Sequence, residues 1–304
     1  MTHALLIANP AAARTDARAV RAVRDTLRAG GWMVDVLATA KAGDARRFAS
    51  EARAAGIDVV VAYGGDGTAM QAVAGLVGGT IPLGLVPGGT GNILAGNLRL
   101  PRDPTAAARA ILGGRTRALD LGVVERADGV HYFAVCCGTG FDADLMAATR
   151  AEDKRRWKMA AYVASAMPAL RTIASEPYRV IVDGEAREVP AAMVLVANCG
   201  ELVPPFVRLR RAVAYDDGWL DVIAVRADGA LDAVAAMWDI LRRRNGAGHV
   251  WYGRGREIQV EPLGPHGPRA VQLDGEVVGE APFTARLAPG AVSVLVGEGA
   301  TSRG

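Results

Sequence analysis

The sequence predicts an α/β protein in two parts. A doubly wound parallel sheet spans residues 1–122, and a β-rich antiparallel sandwich or barrel spans residues 123–304, with the extreme C-terminus free to pack back on the first part. Three observations predict this. Short apolar runs alternate with helix-period segments through residues 1–112, the alternation that gives a parallel sheet with helices on both faces. Two of those runs lead directly into glycine-rich loops, Gly64-Gly65-Asp66-Gly67-Thr68 and Pro87-Gly88-Gly89-Thr90-Gly91-Asn92. From Leu119-Asp120-Leu121-Gly122 onward the segments are short and β-rich, broken by Asp128-Gly129, Asp183-Gly184, Asp217-Gly218, Asp228-Gly229 and Asp274-Gly275. Asp-Gly between apolar runs is a hairpin signal.

The elements follow in order. Residues 4–8 read as a buried strand that ends at Asn9-Pro10. A helix over 16–29 places Val20, Val23 and Leu27 on one face, with Thr15 or Asp16 as cap and Gly30-Gly31 as its stop. A strand over 32–37, a helix over 43–55 closed by Gly56, and a strand over 59–62 come next. Then come a helix over 68–76, a strand over 81–86, a helix over 90–98 and a helix over 105–112. Two helix-period segments, 150–170 and 231–244, interrupt the β-rich half. In the first, Trp157, Ala160, Ala161, Ala164 and Met167 share a face beside Lys154, Arg155, Arg156 and Lys158. In the second, Leu231, Val234, Trp238 and Leu241 form a stripe that runs into Arg242-Arg243-Arg244. Core packing is the plainer expectation for both; a Trp-bearing face with a basic end also suits anionic lipid.

Composition removes several classes. A net charge of +3 spread over 304 residues does not call for nucleic acid. Three cysteines, Cys136, Cys137 and Cys199, with no CxxC spacing argue against a disulfide framework and a zinc site, and point to a reducing, cytoplasmic setting. The first ten residues lack the basic region and apolar length of a signal peptide. No apolar run approaches the ~20 residues of a membrane-spanning helix.

The loops carry the chemistry. A strand, a glycine turn and a helix start present backbone N–H groups to phosphate, and two such loops from neighbouring strands line one crevice at a sheet's carboxyl edge. Asp66 adds an oxygen ligand for a metal ion, so the pattern points to a nucleoside triphosphate. No lysine follows either glycine cluster, which excludes a Walker loop, and neither cluster completes G-x-G-x-x-G.

These residues resemble the diacylglycerol kinase catalytic family, which includes bacterial lipid kinases and sphingosine and ceramide kinases. The resemblance rests on Asn9-Pro10, Thr39 with Gly43-Asp44-Ala45, the GGDGT of residues 64–68, and the P-x-G-T-x-N-like loop of residues 87–92. It continues through Gly140-Phe141-Asp142-Ala143, Asp217-Gly218-Trp219-Leu220-Asp221-Val222 and Leu273-Asp274-Gly275-Glu276. Three places depart from the family pattern: Ala11-Ala12-Ala13 after Asn-Pro, Met70-Gln71 after GGDGT, and Ala95-Gly96 after the asparagine loop.

The resemblance implies ATP and Mg²⁺ as cofactors, a nucleotide-binding first domain and a lipid-substrate second domain. Asp66 is expected to hold the metal, with Gly64, Gly65 and Gly67 turning N–H groups to the phosphates and Thr68 bonding a phosphate oxygen while capping the next helix. Gly89, Thr90 and Asn92 lie along the nucleotide, and Asn9 and Thr39 join them by resemblance alone. For the base toward the acceptor hydroxyl the resemblance nominates Asp274 and Glu276; Asp183-Gly184-Glu185 repeats the triplet, but the C-terminal position and the preceding Gln272-Leu273 favour 274–276, and 183–185 reads as a plain hairpin. Asp142 and Asp144 would face the acceptor, and Asp216 and Asp217 would form a second, structural metal turn. Each has a plainer alternative: Asp66 or Thr90 as a helix cap, Asp142 and Asp144 as solvated carboxylates, Asp216-Asp217 as a simple type I′ turn.

The implied activity is ATP-dependent transfer of the γ-phosphate to a lipid hydroxyl, of diacylglycerol or a related lipid. The other reading is a catalytically weak nucleotide- or lipid-binding regulator on the same fold, motivated by Met70-Gln71 and Gly96. NAD kinases share GGDGT, but their T-P-T-G-S-T signature is absent. The expected partners are a lipid substrate and, at the periphery, an anionic inner membrane face; a homodimer is left open.

Overall fold

The structure is a computed structural model and describes residues 1–141, 173–203, 207–209, 213–241, 248–265 and 269–297. The first half runs β1 (His3–Ala8), α1 (Ala17–Ala29), β2 (Met33–Ala38), α2 (Asp44–Glu51), β3 (Val59–Gly64), α3 (Asp66–Leu76), β4 (Leu83–Pro87), α4 (Ile93–Asn97) and α5 (Pro104–Leu112). Strands β2, β1, β3 and β4 lie side by side in that order, all parallel. Their near-continuous apolar sequences follow from burial on both faces. Along β3, Val60 and Ala62 enter the core under α2, α3 and α4, while Val59, Val61 and Tyr63 enter the core under α1 and α5. Asp16 caps α1 by accepting the Ala19 N–H at 2.8 Å.

The second half runs β5 (Arg115–Arg126), β6 (Gly129–Phe133), β7 (Cys136–Gly140), β8 (Glu176–Val182), β9 (Glu185–Ala191), β10 (Met193–Ala197), β11 (Glu201–Val203) and β12 (Val207–Arg208). It continues through β13 (Leu220–Val225), α6 (Ala230–Leu241), β14 (Val250–Gly255), β15 (Glu257–Pro262), β16 (Ala270–Leu273), β17 (Glu276–Glu280) and β18 (Phe283–Val296). One antiparallel sheet has the order β14-β13-β10-β7-β16-β17. It packs against β5, β6, β8, β9, β15 and β18 across a shared core that includes Phe133, Tyr178, Val222, Ile258 and Phe283. This is the sandwich.

The two halves share one sheet. β18 joins β4 in parallel at Val294↔Leu83 and β5 antiparallel along most of its length, so residue 122 falls inside β5 and the C-terminal strand completes the first sheet. The register of β18 shifts between Ala288 and Val292. Buried Asp120 holds that bend, accepting the Gly290 N–H at 2.7 Å and the Gly218 N–H at 2.8 Å.

Some expected elements differ. α3 starts at Asp66 rather than Thr68, and α4 starts at Ile93 rather than Thr90, because Asn92 takes a left-handed φ of 53°. Asp128-Gly129, Asp183-Gly184 and Asp274-Gly275 join paired strands, whereas Asp217-Gly218 precedes β13 and Asp228-Gly229 precedes α6. The helix expected over 150–170 lies outside the described residues. On α6 the expectation of core packing is corrected: Leu231, Val234, Met237 and Trp238 are exposed, and Ala236 and Ile240 face the sheet instead. No helix among the described residues is long and apolar enough to cross a membrane.

Candidate active site

Because β3 and β4 are parallel neighbours, paired out to Gly64↔Pro87, both glycine loops leave the same sheet edge side by side. Gly88 N–H donates to Gly64 O at 2.7 Å. Gly65 and Gly89 then meet backbone to backbone: a Cβ on Gly89 would sit 2.6 Å from Gly65 Cα, whereas one on Gly65 would sit 3.4 Å from Gly89 Cα. The two glycines are therefore not equivalent. Gly89→Ala is expected to cost about 2 kcal/mol, and Gly65→Ala less than about 1 kcal/mol, because only the first forces backbone apart. Urea midpoints of the two variants test this; equal losses would show that the loops do not rest on one another this way.

Asp66 is the junction of the two loops. Its carboxylate accepts the Asn92 N–H at 2.7 Å and the Ile93 N–H at 2.6 Å, capping α4 from another element. Burial raises its pKa above the usual carboxylate value, against the lowering effect of those N–H groups. Thr68 does not cap α3, whose N-cap is Gly65; its buried hydroxyl accepts from Asn9 Nδ2 at 2.9 Å. Asn9 thus ties the end of β1 to α3, and its own N–H donates to Tyr63 O at 2.9 Å. Thr39 sits one strand further out, its N–H on Ala8 O at 2.9 Å. Asn92 does not turn its amide outward: Nδ2 donates to Gly89 O at 2.8 Å, and Oδ1 accepts the Gly89 N–H at 2.9 Å. The exposed residues of this loop are Thr90 and Gly91, and Thr90 lies outside the helix it was expected to cap.

The C-terminal hairpin faces these loops. Asp274 and Gly275 take left-handed φ values of 47° and 89° between β16 and β17, as a type I′ turn requires. The Asp274 carboxylate accepts the N–H groups of Ala134 at 2.8 Å, Val135 at 2.9 Å and Cys136 at 2.8 Å. Burial pushes its pKa up to about 6; the three N–H groups oppose that shift, and the charge of Asp66 adds to it. Glu276 reaches the first loop, its Oε1 only 3.3 Å from where a Cβ on Gly67 would stand. Asp274 and Glu276, more than 200 residues beyond Asp66 in sequence, converge with it on one site. The other Asp-Gly-Glu makes the same turn, with φ values of 48° and 90°. Asp183 there binds the N–H groups of Arg256 and Glu257, in the β8–β9 hairpin at the far end of the sheet from β2.

Two family profiles cover most of the chain. The profile of the diacylglycerol kinase catalytic domain matches residues 3–124, and that of the YegS C-terminal NAD kinase beta sandwich-like domain matches residues 135–296. A Chromohalobacter salexigens protein named "Probable lipid kinase YegS-like" is 33% identical, over 92% of this chain and 89% of its own length. The chain belongs to the diacylglycerol kinase catalytic-domain family. A Mycobacterium tuberculosis protein named diacylglycerol kinase is 30% identical over 84% of this chain and 82% of its own. A solved structure of a Bacillus anthracis diacylglycerol kinase superposes with a TM-score of 0.78 at 25% identity, covering 97% of each chain.

Asp142 and Asp144 lie outside the described residues. Asp217 accepts the Trp219 N–H at 3.1 Å and the Ala214 N–H at 3.3 Å and lies 3.4 Å from Arg254, while Asp216 faces Arg117 at 4.0 Å. Each of the two carboxylates thus has an arginine beside it, and no cluster of three metal-ligating side chains occurs among the described residues. Asp217 is not left-handed, so this is not a type I′ turn either. The family departure at Met70-Gln71 has structural work: Gln71 Oε1 accepts the Gly43 N–H at 3.0 Å, and Met70 packs on the core. Sequence reasoning missed Asp120, whose carboxylate serves two distant turns, because nothing local marks it.

Proposed function

We propose that this chain transfers the γ-phosphate of ATP to the hydroxyl of a lipid, diacylglycerol or a close relative. The convergence of Asp66, Asp274 and Glu276 on the paired glycine loops carries this reading. The donor set suits Mg²⁺, which keeps waters and takes one or two carboxylates with phosphate oxygens rather than a protein cage. Asp66 would hold it, with Glu276 at the rim. When bound, the ion would neutralise charge on the transferring phosphoryl group. The exposed backbone at Gly67, Thr90 and Gly91 would receive the phosphates. Asp274, with a pKa near 6, is largely ionised at neutral pH and accepts the acceptor hydroxyl's proton. The test is transfer of labelled γ-phosphate into a lipid extract of the source cell. A labelled lipid supports the kinase and names its acceptor. ATP binding with no labelled lipid would favour the regulatory alternative.

The acceptor is expected to be met at a membrane surface, consistent with a cytoplasmic protein that docks peripherally. The exposed stripe of Leu231, Val234, Met237 and Trp238 on α6 supports this. The helix's acids, Asp232 and Asp239, turn to His249 at 3.9 and 3.2 Å, and Arg242-Arg243-Arg244 follow in sequence. Trp238→Ala is expected to weaken sedimentation with phosphatidylserine vesicles roughly tenfold. Equal partition of variant and wild type would remove α6 from the membrane contact.

A further inference from the structure

α4 is five residues long and is held at both ends by parts of the molecule that belong to different steps of the proposed reaction. At its entrance Asp66 takes the N–H groups of Asn92 and Ile93. At its exit Asn97 Nδ2 donates to Glu201 O at 2.8 Å, and Asn97 Oδ1 accepts the Glu201 N–H at 3.0 Å. Arg99 adds its guanidinium to Glu201 Oε1 at 2.7 Å, against a carboxylate that is almost wholly buried. Arg99 does this from a left-handed φ of 59°, a conformation that side chains other than Asn, Asp or His seldom take. Leu98 and Leu100 on either side are buried, which pins that turn.

The contacts continue from Glu201 toward the other half of the site. Glu201 follows Asn198 and Cys199, whose N–H groups both reach Val135 O, at 2.8 and 3.2 Å. Asn198 Nδ2, fully buried, donates to Asp120 O at 2.7 Å and Ala134 O at 2.9 Å. The backbone of Ala134, Val135 and Cys136 in turn holds the Asp274 carboxylate. Hydrogen bonds joined by short stretches of backbone therefore link Asp66 through α4, Glu201 and residues 134–136 to Asp274, spanning both halves of the chain.

We propose that Asn97, Arg99 and Glu201 form a latch of positioning residues that fixes the nucleotide-side carboxylate Asp66 relative to the acceptor-side Asp274. The proposal rests on the lipid-kinase reading. None of the three faces the reacting groups; they act through α4 and the 134–136 backbone. Loosening the latch leaves each half folded and the nucleotide loops closed, since Gly88, Gly89 and Asn92 bond within the first half. What it loses is alignment, and small misplacement of reacting groups is costly to transfer.

Arg99→Gly is the cleanest variant, because it removes the ion pair while relieving the positive φ; Asn97→Ala and Glu201→Gln complete the set. The measurements on the full chain are ATP dissociation constant, kcat for lipid phosphorylation, and ATP hydrolysed per lipid phosphorylated. For Arg99→Gly and Asn97→Ala, kcat is expected to fall about tenfold, with more ATP lost to water per lipid product and ATP affinity within about twofold of wild type. Arg99→Lys, which keeps the charge, is expected to recover part of the loss. An unchanged kcat and coupling ratio in Arg99→Gly, or a fall in kcat matched by an equal fall in ATP affinity, overturns the latch. Failure of the wild type to phosphorylate lipid overturns the underlying kinase reading instead.

Discussion

Asp66→Ala is expected to lower phosphoryl transfer by roughly 10³-fold or more, the scale of losing a principal charge-stabilising group, while costing the fold only about 1 kcal/mol. The small second figure is a balance. The substitution strips two short N–H bonds from the entrance of α4. It also removes a buried carboxylate whose ionised form the protein disfavours, as its raised pKa shows. Asp66→Asn separates the two roles. An amide oxygen still accepts one N–H, but the amide nitrogen faces the other and provides no anionic ligand for a cation. Both variants are expected to be inactive and to unfold cooperatively in urea. Full activity in either would remove Asp66 from catalysis and leave it as the helix cap of the plainer reading.

The second large effect belongs to Asp274 and has opposite signs for activity and stability. A base with a pKa of about 6 makes kcat/KM fall about tenfold per pH unit below that value and level off above it. Stability moves the other way. The folded pKa lies above the unfolded value of roughly 3.9, so the folded state takes up a proton first as pH falls. The contribution of this group is full below about pH 4 and is lost as pH rises through 6, a total of roughly 3 kcal/mol. Between pH 6 and pH 4 the protein should become slower and, through this group, harder to unfold. Asp274→Asn is expected to erase the inflection and lower turnover by about 10² to 10⁴-fold. A profile in that variant still breaking near pH 6 would assign the ionisation to another group.

The elements most legible in the sequence were those set by near neighbours in the chain. Val59-Val60-Val61-Ala62 announced a strand buried on both faces, and β3 is one. Asp16 and Gly30 bounded α1 as expected. Asp274-Gly275 and Asp183-Gly184 made the turns that Asp-Gly favours. Helix starts in the glycine loops were misjudged, because the group that caps α4 is Asp66, 26 residues upstream of Asn92 in another loop. The stripe on α6 was misjudged because periodicity shows that a helix has an apolar face without showing which way it turns.

By itself the sequence determined the strand–loop–helix order, the two phosphate-type loops and the family to which they belong. Those properties arise from backbone preferences and from residue spacing within a turn or two. Spacing alone did not separate the two Asp-Gly-Glu triplets, which share local chemistry and turn; only the C-terminal position and the preceding Gln272-Leu273 favoured residues 274–276. The tertiary structure places them differently, because β16 pairs with β7 and β18 pairs with β4 and β5. That carries one hairpin to Gly67 and leaves the other at the far edge of the sheet. The same long-range packing buries Asp274 near Asp66 and so raises its pKa. Desolvation and charge proximity depend on what lies across space, and no window along the chain contains that information.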